Sequence, residues 1–237
     1  SLAAAAFTGN GVPLDNTRLY LVDSRMDKQM AWTSVGSPTL IIDFGSAIAL
    51  TGIALLNSNI ATLGGVTVVV DAAIDLAFTT GLGQPKAVAT LTTTRPKHRD
   101  HVLQFGSAAF SRRYWRLTFV LGGGAQVLKI GEVLAFTSST VLSRGYTDGS
   151  GEPEEFITVG AQMIGGESRS AYIAGPMRHK RLRYQDWTSA QNAELLTLWR
   201  ATNGPVLPFL WIESYETAIA AAAAAQQDCI YGRLMLT

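Results

Sequence analysis

Arg113-Tyr114-Trp115-Arg116-Leu117-Thr118-Phe119 is the stretch whose reading decides the class of fold. Read with a period of two, it puts Arg113, Trp115, Leu117 and Phe119 on one face and Tyr114, Arg116 and Thr118 on the other. Three of the four residues on the first face are apolar. The expectation is a half-buried strand with Trp115 in the core and a polar face carrying one aromatic ring.

Working outward, further strand-like runs lie on both sides. Thr39 to Phe44 is apolar and β-rich and is closed by Gly45, and Ile48 to Leu56 is a second such run with Gly52 inside it. Val66 to Val70 is the most β-branched stretch, bounded by Gly64-Gly65 and Asp71. Ala87 to Thr93, Val102 to Phe105 and Val127 to Phe136 follow. Strands about ten residues apart with Gly and polar breaks predict a β-sandwich. Gly122-Gly123-Gly124 precedes no helix, so it reads as a hairpin turn and not as a phosphate cradle.

Thr137-Ser138-Ser139-Thr140 reads as a seam, followed by the Gly-, Asp-, Ser- and Glu-rich 145–155. The expected domains are 1–140 and 141–237. The second half carries one predicted helix, Ser189 to Thr202. Thr188 or Ser189 can cap its start, and Gln191 stands three residues after Thr188 as in a capping box. Leu195, Leu198, Trp199 and Thr202 share one helical face. Asn203-Gly204-Pro205 ends the helix. Strands are expected at Ala171 to Ala174, Arg178 to Tyr184, Phe209 to Ile212 and Ile230 to Leu236. One helix among strands means an α+β domain or a barrel with one helix. Ala218 to Ala225 suits either a short helix or a tip of small residues.

Composition narrows the function classes. The 19 basic and 18 acidic residues leave a net charge of +1, which gives no global attraction to nucleic acid or to an anionic membrane. Charged residues make up 16% of the chain, below the globular average of about 25%, which with 23 glycines suits either short strands and tight turns or a surface partly covered by neighbouring subunits. Cys229 is the single cysteine, so there is neither an intrachain disulfide nor a Cys-rich zinc site. No apolar run is long enough for a membrane span, and Ser1 to Ala6 lacks the basic flank of a signal peptide.

Candidate sites are few. GxSxG, HExxH and P-loop motifs are absent. His98 and His101 flank Arg99-Asp100 in a segment that reads as a loop, where neighbouring cations oppose a metal ion. Asp43 and Glu132 fall in strands and read as structural, not as a glycosidase pair. Arg178 to Arg183 is the densest basic run; Arg181 and Arg183 share a strand face and are expected at a subunit interface. Trp32, Trp115, Leu195, Leu198, Trp199, Phe209 and Trp211 are expected in the core. No catalytic residue, cofactor or metal is predicted.

Two resemblances sharpen this. Ala31-Trp32-Thr33-Ser34 with Leu40-Ile41-Ile42-Asp43-Phe44-Gly45, then Thr51 to Asn57, then Arg113 to Phe119 and Ile130-Gly131-Glu132-Val133, resemble in order and spacing the discoidin-like, galactose-binding jelly-roll family. The resemblance implies a jelly-roll sandwich that binds glycans, lipids or proteins through loops at one end. Tyr184-Gln185-Asp186-Trp187, the helix, Pro208-Phe209-Leu210-Trp211 and Tyr231-Gly232-Arg233 are similar to the barrel-plus-helix domains of tailed-phage minor tail proteins of the distal-tail type. Together they imply a mainly β protein: a jelly-roll β-sandwich followed by a β-barrel-like α+β domain with one helix. The function they imply is that of a virion structural protein of a phage tail tip, ring-forming or part of a baseplate and assembled in the host cytoplasm. Its partners would be other tail proteins, copies of itself and host-surface glycan. A carbohydrate-binding module of a non-viral or enzyme-associated protein is the alternative.

Overall fold

In the computed structural model, the chain is described at residues 6–8, 21, 28–34, 37–63, 66–91, 100–105, 111–122, 126–137, 154–155, 158–162, 168–172, 177–178, 188–203, 209–212 and 229–232. The strands of the first half are β1 (Ala6–Thr8), β2 (Met30–Ser34), β3 (Thr39–Ala49), β4 (Gly52–Leu56), β5 (Val66–Ala73), β6 (Gly83–Leu91), β7 (His101–Gln104), β8 (Ser111–Leu121), β9 (Gln126–Ile130) and β10 (Glu132–Phe136). Five form one antiparallel sheet in the order β1-β3-β8-β5-β6, three form a second in the order β10-β4-β7, and β2 pairs with β9.

Alternation along the strands builds the sandwich. Val68 stands opposite Phe119, Val70 opposite Leu117 and Ala72 opposite Trp115, while Leu40 and Ile42 flank Leu117 and Trp115 from β3. All are buried and join one core with Ile53, Leu55, Leu103 and Val133 of the three-stranded sheet and Met30, Trp32, Leu128 and Ile130 of the β2–β9 pair. Each large apolar side chain buried in this way contributes about 1.5–3 kcal/mol. Trp32 packs against Phe119 with ring centroids 6.4 Å apart, and Trp115 against Phe105 at 5.5 Å.

β4 explains itself by composition. Gly-Ile-Ala-Leu-Leu is apolar on both faces, and every residue is buried. Ile53 and Leu55 face the main core, whereas Ala54 and Leu56 join Val102, with Leu134, Phe136 and Leu210 packed against them. Gly52 is required where β4 starts, because a Cβ there would overlap the Phe136 ring and come within 2.8 Å of the Leu103 carbonyl oxygen.

Two local expectations are corrected. The run Ile48 to Leu56 is not one strand: β3 ends at Ala49 and β4 begins at Gly52, on different sheets. β8 and β9, on either side of the predicted Gly122-Gly123-Gly124 hairpin turn, do not pair with each other. Both edges of β8 are taken by β3 and β5, so the chain crosses to β9, which pairs with β2. β3 itself is broken by a large bulge. Asp43 faces Tyr114 and Ile48 faces Arg112, so Phe44 to Ala47 stand against Arg113 alone.

The later elements are β11 (Glu154–Glu155), β12 (Thr158–Gln162), β13 (Ser168–Tyr172), β14 (Met177–Arg178), α1 (Ser189–Ala201), β15 (Phe209–Ile212) and β16 (Cys229–Gly232). They pair as β11–β14, β12–β13 and β15–β16, and no closed barrel forms among the described residues. Among the described residues the protein is mainly β with one α-helix. Thr188 starts that helix with the capping box, its Oγ1 accepting from the Gln191 amide at 3.3 Å while Gln191 Oε1 accepts from the Thr188 amide at 3.0 Å.

The chain divides into one compact unit of Ser1–Thr140 with Leu210–Tyr231 and another of Val141–Phe209 with Gly232–Thr237. This differs from the contiguous division 1–140 and 141–237 in one respect. Leu210 packs on the outer face of β4, which ties its segment to the first unit.

Candidate functional site

Where Trp115, Leu117 and Phe119 point into the core, Tyr114, Arg116 and Thr118 must point to the outer face of the five-stranded sheet. Register sets Asp71 beside Arg116 from β5 and Asp43 beside Tyr114 from β3. The outer face therefore carries Arg116 with Asp71, and it carries Asp43, which Arg113 reaches from opposite the β3 bulge although alternation sets Arg113 on the Trp115 side. Each guanidinium has an aromatic ring beside it.

In the first pair Asp71 is only 4% exposed, which a carboxylate tolerates when it is fully engaged. Arg116 Nε and Nη2 both donate to its Oδ2 at 3.0 and 2.7 Å, and Gln84 Nε2 donates to Oδ1 at 3.0 Å. The guanidinium lies 4.3 Å from the Phe78 ring centroid. Phe78 is buried and has φ 57°, a left-handed backbone that a bulky residue seldom adopts. The turn between β5 and β6 holds it there.

In the second pair Arg113 donates from Nε and Nη2 to the two Asp43 oxygens at 2.7 and 2.9 Å, a bidentate fork. Its guanidinium carbon lies 4.8 Å from the Tyr114 centroid. Asp43 Oδ1 also accepts from the Gly45 amide at 2.8 Å, with Gly45 at φ 75°. The Arg113 bonds, with the Gly45 amide, hold the Asp43 carboxyl below the usual carboxylate range. Both guanidiniums reach the surface: the side chains of Arg113 and Arg116 are 43% and 31% exposed. Their Nη1 edges take no part in these pairs.

The β5–β6 turn borders the site and is locked from within. Asp75 accepts from the Thr79 amide at 3.1 Å, the Thr79 hydroxyl at 2.8 Å and the Thr80 amide at 2.6 Å. The Thr80 and Thr79 amides hold the Asp75 carboxyl below its ordinary range. Arg112 Nε donates to the Gly81 carbonyl at 2.6 Å and fastens the turn to β8. Ile74, Leu76 and Leu82 stand exposed on it.

Chemically, this face offers planar donors held in place, with both carboxylates committed to arginines. That arrangement suits binding. Among the described residues, no group of three His, Cys, Asp or Glu could hold a metal ion, and no helix is long and apolar enough to cross a membrane.

The residues singled out in the sequence fall as follows. Trp32 and Trp115 are buried in the sandwich core. Leu195, Leu198 and Trp199 are half-buried, and α1 buries none of its residues, so the core position expected for them is only partly reached; small and polar residues separate them on a short helix. Phe209 and Trp211 belong to β15, their side chains outside the described residues. Arg181, Arg183, His98 and Ala218 to Ala225 also lie outside them. His101 and Glu132 are buried on β7 and β10. Sequence reading names none of the residues of the two arginine–aspartate pairs and their turn as site residues: Arg113 and Arg116 enter only as part of a strand pattern and Asp43 as structural, while Asp71, Gln84, Asp75 and Phe78 are not singled out at all. The signal for Asp71 was present: an acid directly after a β-branched run, on the outward alternation.

No known family model and no curated protein matches the sequence. Solved structures with a similar fold cover just over half of this chain. One is the CBM32 module of AlyQ in complex with 4,5-unsaturated mannuronic acid, at 17% identity and TM-score 0.44 over 56% of this chain and 95% of that one. Another is a GH89 CBM32 module produced by Clostridium perfringens, at 11% identity and TM-score 0.43 over 58% and 98%. A third is a mutant of chitosan-binding module 1 from a chitosanase/glucanase of Paenibacillus sp. IK-5, at 14% identity and TM-score 0.43 over 57% and 96%.

Proposed function

We propose that the first unit is a non-catalytic carbohydrate-binding module whose ligand lies on the outer face of the five-stranded sheet. The observation that carries this reading is the pair of guanidiniums of Arg113 and Arg116. Each lies against a ring and is fixed by a carboxylate, and each side chain is partly exposed. Sugar hydroxyls come as adjacent acceptors on a rigid ring, and a fixed planar donor meets them at little cost in ordering. The discoidin-like motif order agrees with a binding module but implies loops at one end as the ligand site, so the placement on the sheet face rests on the two arginine–aspartate pairs alone. The tail-tip role expected from the C-terminal pattern finds no support among the described residues, and the carbohydrate-binding alternative is carried forward.

The test is calorimetric titration of the full chain with a panel of plant, algal and microbial oligosaccharides. Arg116→Lys keeps a cation beside Asp71 but removes the fork. It is expected to retain the melting transition and weaken binding roughly tenfold. Absence of binding across the panel, or a variant that binds as the wild type does, overturns the reading.

A further inference from the structure

We infer that the ligand of this face is an uncharged sugar, and that Asp43 and Asp71 set this selectivity by neutralising the arginines that hold it. The inference rests on the carbohydrate-binding reading and deepens it. Among the described side chains, Arg112, Arg113 and Arg116 stand against Asp43, Asp71 and Asp75, so the charges of this face and its bordering turn sum to zero. The balance is local as well as total. Each of the two surface-reaching guanidiniums has a carboxylate within 3.0 Å on its Nε–Nη2 side.

A carboxylate or sulfate approaching a free Nη1 edge gains attraction from the guanidinium. It meets repulsion from the aspartate a few ångströms behind, and it loses its own hydration. A hydroxyl or ring oxygen approaching the same edge takes the hydrogen bond without the repulsion and with a far smaller loss of hydration. Among the described side chains the site is thus a donor array without a net field, which favours neutral acceptors over anions. Lone arginines on the same face would do the reverse.

The experiment compares matched trisaccharides, hexose against hexuronate, in the gluco, manno and galacto series, titrated into the full chain. Wild type is expected to bind a neutral trisaccharide at least about tenfold more tightly than its uronate. That affinity should change less than about twofold between roughly 0.05 and 0.5 M salt, since no net charge is brought together. Asp43→Asn leaves a half-exposed Arg113 uncompensated. It is expected to improve uronate binding at least about threefold relative to the neutral partner and to make that binding weaken with salt. Asp71→Asn is the companion variant, with its melting transition recorded alongside. If it does not fold, Asp43→Asn alone decides.

A wild-type preference for the uronate, or an Asp43→Asn protein with unmoved selectivity, overturns this proposal and leaves the module reading intact. Failure of wild type to bind either member of every pair overturns the module reading itself, and this inference with it.

Discussion

Trp115 concentrates the fold's energetics in one side chain. It is fully buried between Ile42 of β3 and Ala72 of β5, its ring stacks on Phe105, and its Nε1 donates to the Arg112 carbonyl at 3.1 Å. Neighbours on both sides belong to a five-stranded sheet and cannot collapse into the space it leaves. Trp115→Ala is therefore expected to cost about 3–5 kcal/mol, read as a fall in the urea midpoint with an unchanged slope. An unmoved midpoint would remove Trp115 from the core. Its place was legible because alternation alone assigns it. Phe78 was not legible in the same way. Its burial depends on a positive φ and on a guanidinium from a strand more than thirty residues later, and neither leaves a local pattern.

At the scale of elements, the β5–β6 turn makes a prediction about acid. Asp75 and Asp43 are both held below the ordinary carboxylate range in the folded chain and return to it on unfolding. A depressed folded value means that their contribution is fully present above about pH 3.9 and is lost as pH falls through the lowered value. Protection of the Thr79 and Thr80 amides from hydrogen exchange, taken relative to their intrinsic rate at each pH, is expected to fall below that range before the core strands respond. Uniform protection down to global unfolding would refute it. β5, β8 and α1 with its Thr188 cap were readable, because period-two alternation and capping are local rules. The division of Ile48 to Leu56 was not, since an apolar run cannot report a change of sheet. Nor was the pairing of β2 with β9, which depends on the fold closing around residues nearly a hundred positions apart.

For the whole molecule, the attachment of Leu210 to the outer face of β4 says where the first unit truly ends. A fragment of residues 1–140 would strip Leu210 from the apolar cluster of Ala54, Leu56 and Val102, leaving only Leu134 and Phe136 packed against it. An apolar face of that kind drives association. The fragment is expected to sediment as oligomers and to bind a hydrophobic dye, and Leu210→Asp in the full chain should bind the dye too. A monomeric, dye-silent fragment would show that β15 is not its cover. The bulge in β3 has a practical consequence. Pairing resumes in order on both sides of Phe44 to Ala47, so chain length there is decoupled from the ladder. Ser46, exposed at its crest, is an address for a reporter. An environment-sensitive fluorophore placed through Ser46→Cys, in a Cys229→Ser background, is expected to leave the melting transition in place. It would sit close to the Asp43–Arg113 fork, so ligand arrival could be read as light from a single labelled molecule.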